Sequence, residues 1–217
     1  MNTVVTIDFD IIMAPSINLY NSIVPASTWN DLEKNPYFKL LKIDAIHYQK
    51  IFNYIFYCIQ YLPKENIHFI EDHGQAVRYI NKKCDLINID HHHDLGYGED
   101  IEKQECPTCA NWVYYLEKNN LLNTYTWIHN DNSEEIPPDR KEKMNLYIYS
   151  PNLYNFDLEN LEVPDELIIC LSEPWTPPYI RPLFYTIIDI CNKYYNTHFT
   201  ILSGPYLETS EIRSKHA

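Results

Sequence analysis

Short apolar segments of strand character alternate along this chain with longer stretches at helical spacing, and that alternation restricts it to an α/β design. Residues 3–9 (TVVTIDF) are β-branched and apolar, and predict a buried strand that ends in acids. Ala14-Pro15-Ser16 then begins a loop. Residues 31–62 carry Leu40, Leu41, Ile43, Ile46, Ile51, Tyr54, Ile55 and Ile59 at helical spacing, which predicts one or two helices closed by Pro63. Strands are expected over 66–70, 84–89, 125–129 and 166–171. Helices are expected over 75–82, 111–118 and 182–195. Strands separated by helices pair in parallel, so the expectation is a layered α/β fold with a mostly parallel sheet flanked by helices. At 217 residues and 45% hydrophobic content, one domain over 1–217 with a full core is the default.

The five expected strands share a feature. Each runs into polar residues: Asp8-Phe9-Asp10, Glu71-Asp72-His73-Gly74, Asp90 onward, Asn130-Asp131-Asn132, and Ser172-Glu173-Pro174. In open α/β sheets the carboxyl ends of the strands are where ligands bind. One sheet edge is therefore the expected site, whatever its chemistry.

The formal charge is −13. So little basic surface excludes nucleic acid and anionic membranes as expected partners and suits a cationic one. No apolar run approaches the ~20 residues a membrane-spanning helix needs. Residues 1–10 lack a basic region followed by an apolar stretch, so no signal peptide is expected. Cys58, Cys84, Cys106, Cys109, Cys170 and Cys191 are then expected as free thiols in a reducing cytoplasm.

Asp90-x-His92-x-Asp94 follows a hydrophobic strand. Residues i, i+2 and i+4 of an extended chain point the same way, so these three side chains are expected on one face. Unpaired acids at a buried strand end repel, and a divalent cation resolves the conflict. The plainer alternative is a solvated polar loop. Asp8-x-Asp10 repeats the pattern, and His73 follows a third strand. Together these offer four carboxylates and two imidazoles. Such an oxygen-rich set favours manganese, with zinc or iron as alternatives. Six donors exceed what one structural zinc needs, whereas two ions about 3.5–4 Å apart would use them all. Cys106-x-x-Cys109, lacking a partner pair, is a weak zinc signal and reads as ordinary loop thiols. Of only four glycines, Gly74, Gly96 and Gly98 lie beside these donors, where backbone must turn tightly.

These residues resemble the arginase-like (ureohydrolase) superfamily. Its Asp-x-His-x-Asp motif matches Asp90, His92 and Asp94. Its Gly-Asp-His element matches Asp72-His73, with Glu71 in place of the glycine. Its Asp-x-Asp pair matches Asp8 and Asp10. Arginases carry that pair late in the chain. A divergent branch that includes the peptide arginases of ribosomal natural-product biosynthesis begins with it, as here. The run His92-His93-Asp94-Leu95-Gly96-Tyr97-Gly98, Asn111-Trp112 and Ser172-Glu173-Pro174-Trp175-Thr176-Pro177 fit the same branch.

The resemblance implies a three-layer arginase-like fold and a pair of Mn2+ ions. Asp8 and Asp90 would bridge them, His73 and Asp94 would complete one, and His92 and Asp10 the other. It implies hydrolysis of an arginine side chain to ornithine and urea, on an arginine-containing peptide with or without a leader segment. The guanidinium is permanently cationic and needs an acid, for which Glu173 is the first candidate. His129 is the candidate proton shuttle. Asp131, Glu134 and Asn111 are candidate substrate contacts, with Trp112 shaping the pocket or filling the core. The competing expectations are another metal-dependent C–N hydrolase (a small-guanidine ureohydrolase or an amide deacetylase) and a non-enzymatic metal- or peptide-binding module.

Overall fold

A computed structural model describes residues 2–13, 42–97, 106–131, 133–173 and 175–204. The expected loop at 14–16, the first part of the expected 31–62 helical region, and Gly98, Asn132 and Pro174 lie outside the described residues.

Seven strands form one sheet: β1 (Thr3–Asp8), β2 (Ile67–Ile70), β3 (Cys84–Ile89), β4 (Leu122–Ile128), β5 (Tyr147–Tyr149), β6 (Glu166–Cys170) and β7 (Ile201–Leu202). Their order is β5-β4-β3-β1-β6-β2-β7, and every neighbouring pair is parallel. Among the described residues four α-helices accompany them: α1 (Ala45–Tyr61), α2 (Trp112–Lys118), α3 (Pro138–Lys143) and α4 (Arg181–Tyr195). The five strands that end in polar residues are therefore contiguous, in the order β4-β3-β1-β6-β2, and present those ends at one edge.

Strand parity builds the layers. In β1, Val5 and Ile7 face one way and join Phe69, Leu167 and Ile169 beneath α1 and α4. Val4 faces the other way and joins Leu86, Tyr125 and Ile168 beneath α2. Helix α1 begins where the Asp44 carboxylate accepts the amides of Ile46 and His47. It buries Ile51, Tyr54, Ile55, Cys58 and Ile59, one stripe at helical spacing, and stops before Pro63. Helix α4 starts with Pro182 in its first turn and ends on Asn196 in the left-handed region (φ 48°). The result is a three-layer α/β fold.

Two expectations are corrected. Residues 75–82 do not form an α-helix; the segment is a 3-10 turn, His73–Arg78. The Asp72 side chain caps it through the Gly74 amide, which starts it early, and Gly74 and Val77 are weak helix formers. The strand expected over 125–129 is longer on one side and shorter on the other, Leu122–Ile128. The sheet's two edge strands and α3 gave no periodic signal. β5 and β7 have three and two residues, and α3 (PDRKEK) is polar throughout.

Candidate metal centre

The centre begins with a register. Thr6 of β1 lies beside Asn88 of β3, and Ile7 beside Ile89. One step further, by the same parity, Asp8 and Asp90 leave the sheet on the α2 face. Thr6 Oγ1 donates to Asn88 Oδ1 at 2.6 Å, and Asn88 Nδ2 donates to Asp90 Oδ2 at 3.2 Å. This buried pair fixes the orientation of Asp90. Asp10 follows in a 3-10 turn, Phe9–Ile12, where its amide donates to Asp8 Oδ1 at 3.2 Å.

Beyond Ile89 the chain does not stay extended, which corrects the expected i, i+2, i+4 alignment. The His92 amide donates back to Asp90 Oδ1 at 2.8 Å, and the Leu95 amide to His93 Nδ1 at 3.1 Å. Asp94 adopts φ 50°. Local side-chain-to-backbone bonds compete with the extended form and curl the segment. Asp90, His92 and Asp94 still converge, through a turn rather than a strand face. His91 and His93 point away. His91 Nδ1 meets Asn130 Oδ1 at 3.0 Å, and His93 stacks on Tyr97 with ring centroids 4.5 Å apart. Burial and the neighbouring His92 charge push both imidazoles down to about 4, so they pack as neutral rings.

All six candidate ligands meet. His73 Nδ1 lies 3.2 Å from Asp8 Oδ2, 3.0 Å from Asp90 Oδ2 and 3.2 Å from Asp94 Oδ2. His92 Nδ1 lies 3.0 Å from Asp10 Oδ2 and 3.9 Å from Asp90 Oδ1. Asp90 thus turns one oxygen to each imidazole. These are contact distances without hydrogen-bond geometry: both His73 nitrogens and both Asp10 oxygens are buried with no hydrogen-bond partner. Native proteins rarely leave such groups unmet. Three groups of donors lie within 4.8 Å of one another: His73, Asp90 and Asp94; Asp10, Asp90 and His92; and Asp8, His73 and Cys170. These buried Asp/His clusters are at ligand distance and could hold metal ions.

The electrostatics agree. Burial, then the Asp8 and Asp90 charges, push Asp10 up to about 8. Burial and Asp90 likewise raise Asp8 and Asp94. Burial alone would raise Asp90 as well, but His73 and His92 outweigh it and hold Asp90 below the usual carboxylate range. Burial would lower His92, yet the Asp10, Asp90 and Asp94 charges overcome it and bring it up to about 10. His73 rises for the same reason, with Cys170 and three aspartates around it. Without a metal, the cluster neutralises itself by holding protons on acids and imidazoles. A divalent cation bound there would take the place of those protons.

Neighbouring side chains hold the donors still. Trp112 Nε1 donates to Asp94 Oδ2 at 2.6 Å, and its ring lies 4.6 Å from that of His73. Trp127 Nε1 donates to the Asp90 carbonyl at 2.9 Å. At Gly74 a Cβ would sit 2.9 Å from the Thr108 carbonyl carbon, so only glycine lets the 106–111 segment approach His73. Trp112→Phe keeps the ring and removes the donor. We expect it to weaken metal affinity about 10–100-fold, the usual cost of losing a group that orients a ligand. Titration with Mn2+ checks this, and unchanged affinity would show that the bond does not position Asp94.

A cleft of about 200 Å³ opens on the centre. Asp8, His92 and Asp94 line it together with Tyr97, Cys109, Ala110, Glu134, Ser172 and Trp175. Of the expected substrate contacts, Glu134 reaches the cleft. Glu173 is instead engaged by Arg181, whose Nη1 lies 2.7 Å from its Oε1. It is not among the lining residues, because the turn after β6 brings Arg181 beside it. His129 Nδ1 lies 2.9 Å from the Asn130 carbonyl, and its ring packs on Trp127, as a strand-end residue does. Asp131 accepts from Asn152 Nδ2 at 2.6 Å. Asn111 accepts the Thr108 amide at 2.6 Å and donates to the Cys106 carbonyl, so it pins its own loop. None of these four lines the cleft. Ser172, Cys109, Tyr97 and Trp175 also line the cleft, roles the sequence does not assign them. The signal for Tyr97 and Trp175 was their place in the two motif runs. Ser172, like Asp94, adopts a left-handed backbone (φ 49°), of the kind that collects at functional sites. Cys106 is exposed and both CxxC thiols are free.

Among the described residues no helix is long and apolar enough to cross a membrane. No protein-family model, no curated protein and no solved structure matches the chain.

Proposed function

We propose that this chain is a manganese-dependent ureohydrolase that converts arginine side chains of a peptide to ornithine with release of urea. The observation that carries the reading is the split of donors around Asp90. One of its oxygens faces His73 with Asp8 and Asp94, and the other faces His92 with Asp10. Two ions sharing carboxylates would satisfy the buried oxygens of Asp10 and Nδ1 of His73. On this reading His73 and Asp94 would hold one ion and His92 and Asp10 the other, with Asp8 and Asp90 available to both. Carboxylates outnumber imidazoles, which favours manganese. When bound, the metal pair supplies hydroxide from water at neutral pH.

The chain's own residues do the rest. With the Asp8 and Asp94 charges matched by the ions, Glu134 is the acid of the cleft that would attract a guanidinium. Trp175 and Tyr97 supply aromatic surface on which a planar, weakly hydrated cation rests. The reaction consumes one water, breaks the bond between the guanidinium carbon and the side-chain nitrogen, and leaves that nitrogen as an amine. The six free thiols suit a cytoplasmic location.

Incubating the protein with Mn2+ and an arginine-containing peptide tests the proposal. Mass spectrometry is expected to show loss of CH2N2 per modified arginine, with urea in the medium. No mass change with metal bound would favour a binding module, and loss of an acyl group from an acylated amine would favour an amide deacetylase. A one-ion deacetylase would not need Asp10 and His73 as well, which is why we rank it lower.

A further inference from the structure

We infer that Cys170 supplies a sulfur donor to the ion at His73, so that the two ion positions are unequal and the His73 position takes the more thiophilic cation. The inference rests on the two-ion reading of the centre and not on the reaction proposed for it.

The register places the thiol. Cys170 ends β6, in register with Asp8 of β1 on one side and Ile70 of β2 on the other. Residues in register on neighbouring strands share a face, and Ile168, Cys170 and Ile70 all belong to the core beneath α2. The same parity that sends Val4 into that core turns Asp8 to it. His73 follows Ile70 by three residues. Asp8, His73 and Cys170 thus bring a carboxylate oxygen, an imidazole nitrogen and a sulfur within 4.8 Å of one another, and all three are buried.

In most cores a buried cysteine packs as a small apolar side chain. Cys170 differs in its company. His73 is 1% exposed, and both of its ring nitrogens lack a hydrogen-bond partner. A polar ring buried that deeply calls for a partner, and imidazole with thiolate is a common donor pair for zinc. Cys170 Sγ also accepts the Ser172 amide at 3.2 Å, a bond that suits a sulfur bearing negative charge. Burial keeps the metal-free thiol protonated, and the proton leaves to water as the metal–sulfur bond forms. The other thiols are placed differently. Cys58 and Cys191 lie in the core beneath α1 and α4, and Cys84 begins β3, at the end of the sheet away from the centre. Cys109 lines the cleft but joins none of the donor groups among the described residues.

The other position has no such donor. Asp10, Asp90 and His92 offer oxygen and nitrogen alone. Thiolates select zinc and similar soft or borderline cations, whereas carboxylates suit manganese. The His73 position therefore fills first with zinc, iron(II) or cobalt(II), and the Asp10 position holds manganese beside it. With manganese as the sole ion offered, both positions take it.

The test strips the full-length protein of metal under reducing conditions and titrates it with Co2+. A cobalt–thiolate bond gives a near-ultraviolet charge-transfer band that cobalt bound to oxygen and nitrogen lacks. The band is expected to be complete at the first equivalent per chain, with no gain from the second. Cys170→Ser is expected to abolish the band while cobalt still binds. The Cys106→Ser/Cys109→Ser double variant and Asp10→Ala are expected to keep it. No band with cobalt bound, a band that grows evenly over two equivalents, or a band that survives Cys170→Ser overturns the inference and leaves the ureohydrolase reading standing. A Cys170-dependent band with no urea released from any arginine-containing peptide upholds the inference and ends that reading. Should Cys170→Ser fail to fold, X-ray absorption at the zinc edge decides, on the double variant loaded with one zinc per chain. One sulfur at about 2.3 Å from zinc upholds the inference, and a shell of oxygen and nitrogen alone overturns it.

Discussion

Asp90→Ala is expected to remove both metal ions together, reduce urea release to background, and destabilise the metal-free fold. The double role of Asp90 drives all three effects. Its Oδ2 lies 3.0 Å from His73 Nδ1, and its Oδ1 faces His92 Nδ1 at 3.9 Å. It is also the one aspartate of the cluster held below the usual carboxylate range, by His73 and His92. The other three acids are pushed up and hold protons more readily. Asp90 therefore carries most of the negative charge that balances the buried imidazolium groups in the absence of metal. Removing one partner of a buried ion pair costs about 3–5 kcal/mol, because the remaining charge is left uncompensated. Denaturation of the metal-free variant reads that cost, and metal analysis per chain reads the ions. A variant that keeps one ion would show that Asp90 serves a single site, and the two-ion arrangement would have to be redrawn.

Much of this centre could be read before any coordinates. Hydrophobic runs located β1, β2, β3, β4 and β6, and the acids after them marked one edge, because a parallel sheet sends all its carboxyl ends the same way. That Asp8 and Asp90 lie side by side follows from the β1–β3 register, which parity within either strand does not encode. What stayed hidden depends on contacts that no local pattern encodes. The curl at 90–94 arises from an aspartate and a histidine accepting amides two residues on, where simple alternation predicts an extended face. Glu173 looked available for a substrate cation because the turn that delivers Arg181 to it leaves no periodic trace. Trp112 reaches Asp94 across eighteen positions of sequence, and Cys170 comes within ligand distance of Asp8 only because β6 lies beside β1. The edge strands were missed for a different reason: two or three residues are too few to show a period of two.

Asp10→Ala separates the second ion from the first. Asp10 is fully buried, both of its oxygens lack a hydrogen-bond partner, and burial with the Asp8 and Asp90 charges lifts it to about 8. Its contact to His92 at 3.0 Å is the link specific to the second site. We expect the variant to retain the ion held by His73, Asp8, Asp90 and Asp94 and to lose the other, so metal content falls by about half. Activity is expected to fall at least about 100-fold, since a site built to activate water between two ions keeps only one. Stability should fall less than in Asp90→Ala, because alanine relieves a buried carboxyl that lacks hydrogen bonds, a cost of about 1–3 kcal/mol, and this offsets part of the loss of its contact to His92. The pH dependence carries the same sign. Asp10 binds its proton more tightly folded, near 8, than unfolded, near the ordinary 3.8. Its contribution therefore favours the metal-free fold below about 4 and is lost as pH rises toward 8. The metal-free wild type should weaken over that interval, and Asp10→Ala should weaken less. Adding Mn2+ should reverse the trend in the wild type, because the ion displaces the proton and binds more strongly as pH rises. Unchanged metal content and activity in Asp10→Ala would remove the second ion from the proposal and leave a one-metal site centred on His73.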